Sequence, residues 1–173
     1  MPIIKPINKI SPQIADNVFL AENCVVIGDV KIAKGSSIWY NVVVRGDVNY
    51  IRIGENTNIQ DGAVIHASYK KYPTIIGNNV SIGHRAIIHA CTIENNVLIG
   101  MGAIIMDNAK IASNSLIAAG SVVVPNTIVE PNSVYAGIPA RKIKSVDKNN
   151  SELINGTASR YKLYTTWYEE NDS

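Results

Sequence analysis

The chain has 173 residues, 46% of them hydrophobic and only 17% charged, with a formal net charge of +2. That size suits one domain with its own core, and with no block of Lys or Arg it lacks the basic stripe of a nucleic-acid binder. No stretch approaches 18 consecutive apolar residues and the opening MPIIKPINKISPQIADNV has no long apolar run, so neither a membrane span nor a signal peptide is expected. Cys24 and Cys91 make no CxxC pair, which fits a reducing, cytoplasmic setting.

From Ile14 onward an aliphatic residue returns every six positions: Ile14, Leu20, Val26, Ile32, Ile38 and Val44. The count resumes at Ile53, Ile59 and Ile65, and again at Ile76, Ile82 and Ile88. After one five-residue step it runs from Ile93 through Ile99, Ile105, Ile111, Ile117 and Val123 to Val129. Four places after each, the residue is usually small or β-branched, as at Val30, Ser36, Val42, Val48, Ala63, Ala86 and Thr92. A period of six suits neither an amphipathic helix nor one long strand. It suits short strands separated by bends, with both kinds of residue turned inward. Three such strands close a triangular coil of about 18 residues, and each coil buries its apolar side only by stacking on the next. Gly and Asn, as at Gly28, Asn56, Asn78, Asn95, Gly102 and Asn114, mark the bends.

The pattern therefore predicts a mainly β chain, with a parallel β-helix over residues 1–145 whose hand the periodicity leaves open. It closes near YAGIPARKI (Tyr135–Ile143). Residues 146–173 read as a polar linker and a C-terminal helix from about Asn150 to Tyr168. Ile154, Ala158, Tyr161, Tyr164 and Tyr168 share one helical face, which packs along the β-helix. Gly156 costs that helix roughly 1 kcal/mol.

All three histidines lie between Asn58 and His89. Three rungs make a coil, so Val44, Ile65 and Ile88 lie above one another. The residues that follow them, Arg45, His66 and His89, form an outward column at a spacing of about 4.8 Å. Two imidazoles so placed can share one metal ion. His84 follows Ile82 by two places and sits near a corner of the preceding rung, with Asp61 as its column mate. Within one chain it looks away from the pair. If all three bind one ion, His84 comes from another copy, and such a head-to-tail contact closes into a ring; a triangular prism suits a homotrimer. Taken singly, an outward histidine is commonly just solvated, Arg45 with Asp47 is an ordinary surface pair, and Asp61 is a turn former. Confinement of all three histidines to one stretch argues for the metal. Cys24 falls in the small inward position; Cys91 lies near a bend and takes no role.

The segments VVVRGDVNYIRIGENTNIQDGAVIH and IGHRAIIHACTIENNVLIGMGAIIMD resemble the γ-class carbonic anhydrases of the hexapeptide-repeat superfamily, over most of residues 10–145. The resemblance implies a left-handed parallel β-helix and a homotrimer with metal sites between subunits. It implies that His66 and His89 are ligands from one subunit and His84 the ligand from its neighbour. By the same resemblance Gln60 hydrogen-bonds the metal-bound solvent and Asn58 lines the site. Arg45, Asp47 and Asp61 form interface ion pairs. The implied ion is Zn²⁺, with Fe²⁺ or Co²⁺ as substitutes. The implied reaction is attack of metal-bound hydroxide on carbon dioxide to give bicarbonate. Two departures stand out: Val48 replaces an acidic residue, and the loop ASYKKYPT (Ala67 to Thr74) holds no carboxylate. Both predict weak hydration limited by proton exit. Three further readings stay open: an acyltransferase using acyl-CoA, a metal-dependent thioesterase, and an inactive trimeric scaffold.

Overall fold

The aliphatic ladder turns inward as its spacing predicts. In the computed structural model, which describes residues 1–169, the chain winds into a parallel β-helix of about seven coils followed by one helix, Lys148–Glu169. From Val26 to Val129 every aliphatic residue of the repeat is buried. Ile14 and Leu20, in the first coil, are only partly buried against the core.

The coils stack into a prism with three faces. Outward residues on the first face align as Val43, Val64, Ile87, Ile104 and Val122. On the second they align as Ser37, Asn58, Ser81, Leu98, Leu116 and Val134. On the third the column is Lys31, Arg52, Ile75, Thr92, Lys110 and Ile128. The long strand Val43–Ile53 runs round a corner and serves both the first and third faces.

At the irregular steps the small inward position differs from the sequence expectation. Ile51, Thr74 and Cys91 are buried there, whereas Val48 and Thr92 are only partly buried. The inward residue stands two places before the next aliphatic, so an insertion moves it with the rung that follows. Cys91 is thus core, like Cys24. Burial raises both thiols, Cys24 to about 11, which leaves them unreactive. The bends at Asn79 and Asn96, both with positive φ, each fall one residue later than expected. The Asn78 and Asn95 side chains instead accept the backbone N–H of Glu55 and Asn78 in the preceding coils.

The last coil ends in an antiparallel pair, Ser133–Gly137 with Ala140–Ser145, at the segment where closure is expected. Asp147 then caps the helix: its carboxylate accepts the Asn150 N–H at 2.8 Å, and the Asn150 side chain accepts the Asp147 N–H at 3.4 Å. The helix contacts concentrate on the second face. Ile154 is buried there, Tyr161 sits edge-on to Trp39 at 5.2 Å, and Tyr168 packs on Phe19 at 5.3 Å. Among the described residues no helix is long and apolar enough to cross a membrane.

Candidate functional site

His66 and His89 are direct register partners on the first face, as the rung count predicts. Nδ1 of His66 lies 3.2 Å from Nε2 of His89. The outer nitrogens are each held by a carboxylate: His66 Nε2 lies 3.0 Å from Asp47 Oδ1, and His89 Nδ1 lies 2.6 Å from Asp107 Oδ1. An ionised carboxylate can only accept, so the ring protons sit on the outer nitrogens. In the neutral rings the two inner lone pairs would then face each other, which is repulsive unless a proton or cation lies between them. Two nitrogens bound tetrahedrally to one Zn²⁺ at about 2.0–2.1 Å would stand about 3.3 Å apart, close to what is seen.

The carboxylates are themselves anchored. Arg45 Nη1 donates to Asp47 Oδ2 at 2.5 Å, and Ser68 Oγ donates to Asp107 Oδ2. Burial opposes ionisation of both carboxyls, but hydrogen bonds from His66 and Arg45 to Asp47, and from Ser68 and His89 to Asp107, outweigh it. Both pKa values are lowered. The His66 pKa is also lowered, by burial first and by the Arg45 charge, against the pull of Asp47. Its ring is therefore neutral near pH 7, the form that can bind a cation. Asp107 is the residue the sequence reading misses. It stands two places after Ile105, which stacks on Ile88, so the same rung count carried one coil further reaches it.

His84 lies at a corner after the strand Ser81–Ile82. Its Nδ1 is 2.9 Å from Oδ2 of Asp61, its expected column mate. The third histidine thus repeats the arrangement of the other two: one nitrogen on a carboxylate, the other left with a lone pair. That second nitrogen, Nε2, lies 3.3 Å from the Tyr161 hydroxyl. Burial, with Asp61 and Tyr164 nearby, pushes the Tyr161 phenol up to about 12, so it stays protonated and donates. The C-terminal helix therefore reaches the site as well as packing on the coils. Among the described residues no three His, Cys, Asp or Glu side chains converge to hold a metal. His84 stands apart from the pair, as expected for one chain.

Gln60 and Asn58 are both buried. Gln60 Nε2 donates to Asn58 Oδ1 at 3.0 Å, and Asn58 Nδ2 donates to Ser81 Oγ at 2.8 Å. Gln60 lines a cavity beside His84, whereas Asn58 is not among the residues that line it. Asn58 instead fixes the orientation of the Gln60 amide. Of the expected interface residues, Arg45 pairs with Asp47 and Asp61 pairs with His84 within one chain.

The bacterial transferase hexapeptide (six repeats) family model matches residues 11–46 and 90–125, which bracket the histidine-bearing stretch without including it. A "probable carbonic anhydrase" of Methanocaldococcus jannaschii is 51% identical over 149 residues, 86% of this chain and 93% of the relative. The chain belongs to the γ-class carbonic anhydrase family of hexapeptide-repeat proteins. The mitochondrial gamma carbonic anhydrase 2 of Arabidopsis thaliana is 43% identical over 87% of this chain; this γ-class chain spans only 56% of that relative's length. A hexapeptide transferase family protein from Anaplasma phagocytophilum, solved by crystallography, superposes with a TM-score of 0.92. It is 40% identical, and the match covers 96% of this chain and 98% of that one. A γ-class chain implies a metal cofactor, and the donor chemistry fits one: three imidazoles, each with one nitrogen tied to a carboxylate and the other nitrogen available as a ligand.

Proposed function

We propose that three copies of this chain form a homotrimer in which His66 and His89 of one copy and His84 of the next hold one divalent ion, and that the assembly hydrates carbon dioxide to bicarbonate. The observation that carries this reading is the 3.2 Å approach of His66 Nδ1 to His89 Nε2, each ring held by a carboxylate at its other nitrogen, with a third carboxylate-backed histidine out of their reach. The first face supplies the matching surface. Its outward column is apolar, with Val64 38% and Ile87 41% exposed, which suits burial against a second copy. The 51% identity to a probable carbonic anhydrase supports the reaction.

Three imidazole ligands and an open position suit Zn²⁺, with Fe²⁺ and Co²⁺ compatible. An ion held there supplies the Lewis acidity that makes water reactive near neutral pH. Asp47, Asp61 and Asp107 orient the three rings. Gln60, fixed by Asn58 and Ser81, offers a hydrogen bond beside His84 to orient water. Proton release is the weak step. The loop 67–74 and Val48 offer no carboxylate, and Tyr161, raised to about 12, keeps its proton at neutral pH. Protons therefore leave through solvent and buffer. A reducing, cytoplasmic setting goes with this reading, because both cysteines are free and buried.

The test joins solution mass, metal content and stopped-flow hydration. A trimer with about one ion per chain is expected, with a rate that rises with imidazole concentration at constant pH. A monomer with full metal occupancy would overturn the shared site. A fast rate independent of buffer would reveal a proton shuttle. No hydration with metal bound would point to another substrate, and thioesters come next. One observation favours a transferase reading: the His84–Asp61 pair is also the arrangement of a general base. That reading needs no ion, so metal analysis separates the two.

A further inference from the structure

The helix Lys148–Glu169 does not cover the second face evenly. Tyr161 meets Trp39, but beyond it helix and coils line an open groove of about 380 Å³. Its floor follows from the sequence. Down the prism the position after each second-face aliphatic runs Trp39, Gln60, Gly83, Gly100, Ala118, joined coil to coil by backbone hydrogen bonds. The side chains shrink to nothing in the middle. Stacking enforces this: a Cβ on Gly100 would stand 2.4 Å from the Ala119 nitrogen, and one on Gly83 would stand 2.6 Å from that of Met101.

The groove also has two chemically different ends. The neighbouring outward column changes from polar to apolar between Ser81 and Leu98. Toward the earlier coils the lining includes Gln60, His84 and Tyr161; toward the later coils it includes Leu98, Leu116 and Leu153. On the helix wall stands Arg160. Its Nη2 donates to Thr157 at 3.0 Å and its Nη1 lies over Gly156, where an added Cβ would be 3.1 Å away. A glycine that weakens the helix thus makes room for the guanidinium. Among the described residues no carboxylate forms an ion pair with Arg160.

We infer that this groove binds a monocarboxylate with an unbranched apolar chain, its head on Arg160 and its tail over Gly100 and Ala118 toward Leu116. The Arg160 guanidinium, with no ion-pair partner among the described residues, selects the head, and the apolar end selects the tail. Along the groove floor Gly83 to Ala118 spans two coil spacings, about 10 Å, room for a chain of roughly eight carbons. Carbon dioxide needs no such length. The groove exists within one chain; only its nearness to a metal centre rests on the reading proposed above.

The test is calorimetric titration of the metal-loaded protein with acetate, butanoate, hexanoate, octanoate and uncharged octanol. Affinity should rise roughly fourfold per CH₂ up to about eight carbons, and octanol should bind at least tenfold more weakly than octanoate. Arg160→Gln should weaken every acid about tenfold while keeping the chain-length dependence. Ala118→Leu, at a partly buried position, should remove the gain beyond butanoate. Circular dichroism and metal content check both variants. Absence of metal in the parent protein would count against the trimeric centre, not against the groove. Affinity independent of chain length, a wild-type profile in folded Ala118→Leu, or equal binding of octanol and octanoate would overturn the inference. So would no binding of any acid at millimolar concentration, the result expected if a second copy fills the groove.

Discussion

On the second face the outward column is covered by the chain's own helix, whereas on the first face the equivalent column stands open. Both columns turn apolar residues outward: Leu98 and Leu116 on the second, Val64 and Ile87 on the first. Leu116 is buried with Ile154 of the helix, while Ile87 remains 41% exposed. The histidines follow the same division. His84 sits beside the covered face with Tyr161 against it, and His66 and His89 lie on the open one. A face closed by its own chain completes the fold. In the proposed trimer the open face is where the next copy would dock, and His66 and His89 lie along it.

Two adjacent residues test this division with the largest expected effects. Ile88 points inward at 0% exposure and Ile87 outward. Ile88→Ala should cost the fold about 2–5 kcal/mol, read by denaturant unfolding. Ile87→Asp should leave the coils folded but place an unpaired carboxylate in the contact, so the trimer should fall to monomers at micromolar concentration with its metal lost. Sedimentation and metal analysis decide it. If folded Ile87→Asp stayed trimeric, the open face would not be the contact surface.

Next in size is Asp107→Asn. Losing the carboxylate behind His89 should lower metal affinity about 10–100-fold while the assembly persists. Competition with a chelator measures it. Unchanged affinity would show that the ring needs no such support.

The rung count made the pairing of His66 with His89 legible, because a period of six fixes which residues stack once strands are parallel. The same count joined His84 to Asp61. It failed where the period breaks: Val48 and Thr92 were expected inward, and inserted residues passed that place to Ile51 and Cys91. The Asp107 contact escaped because the carboxylate lies one residue further along its rung than the ring it holds. The reach of Tyr161 to His84 could not be read at all. It depends on how a helix of period 3.6 registers against coils of period six, and Trp39 and Phe19 set that registry only in three dimensions.

The smallest effect is expected at the start of the helix that closes the second face. The hydrogen bond from Lys144, then that from the Asn150 N–H, hold the Asp147 carboxyl below its usual value of 3.8. A lowered folded pKa means the unfolded chain binds the proton more readily. The capping contribution is therefore fully present above about pH 4 and is lost as pH falls through the lowered folded value. Asp147 is exposed, so solvent screens the effect and only the first turn should fray. Asp147→Asn keeps a capping oxygen without the charge, and should remove this part of the acid dependence while leaving helix content at neutral pH unchanged. Far-UV circular dichroism of wild type and variant between about pH 5 and pH 2 reads it. An identical acid profile in the two proteins would assign the loss to other carboxylates, of which Asp47 and Asp107 on the open face carry the same sign.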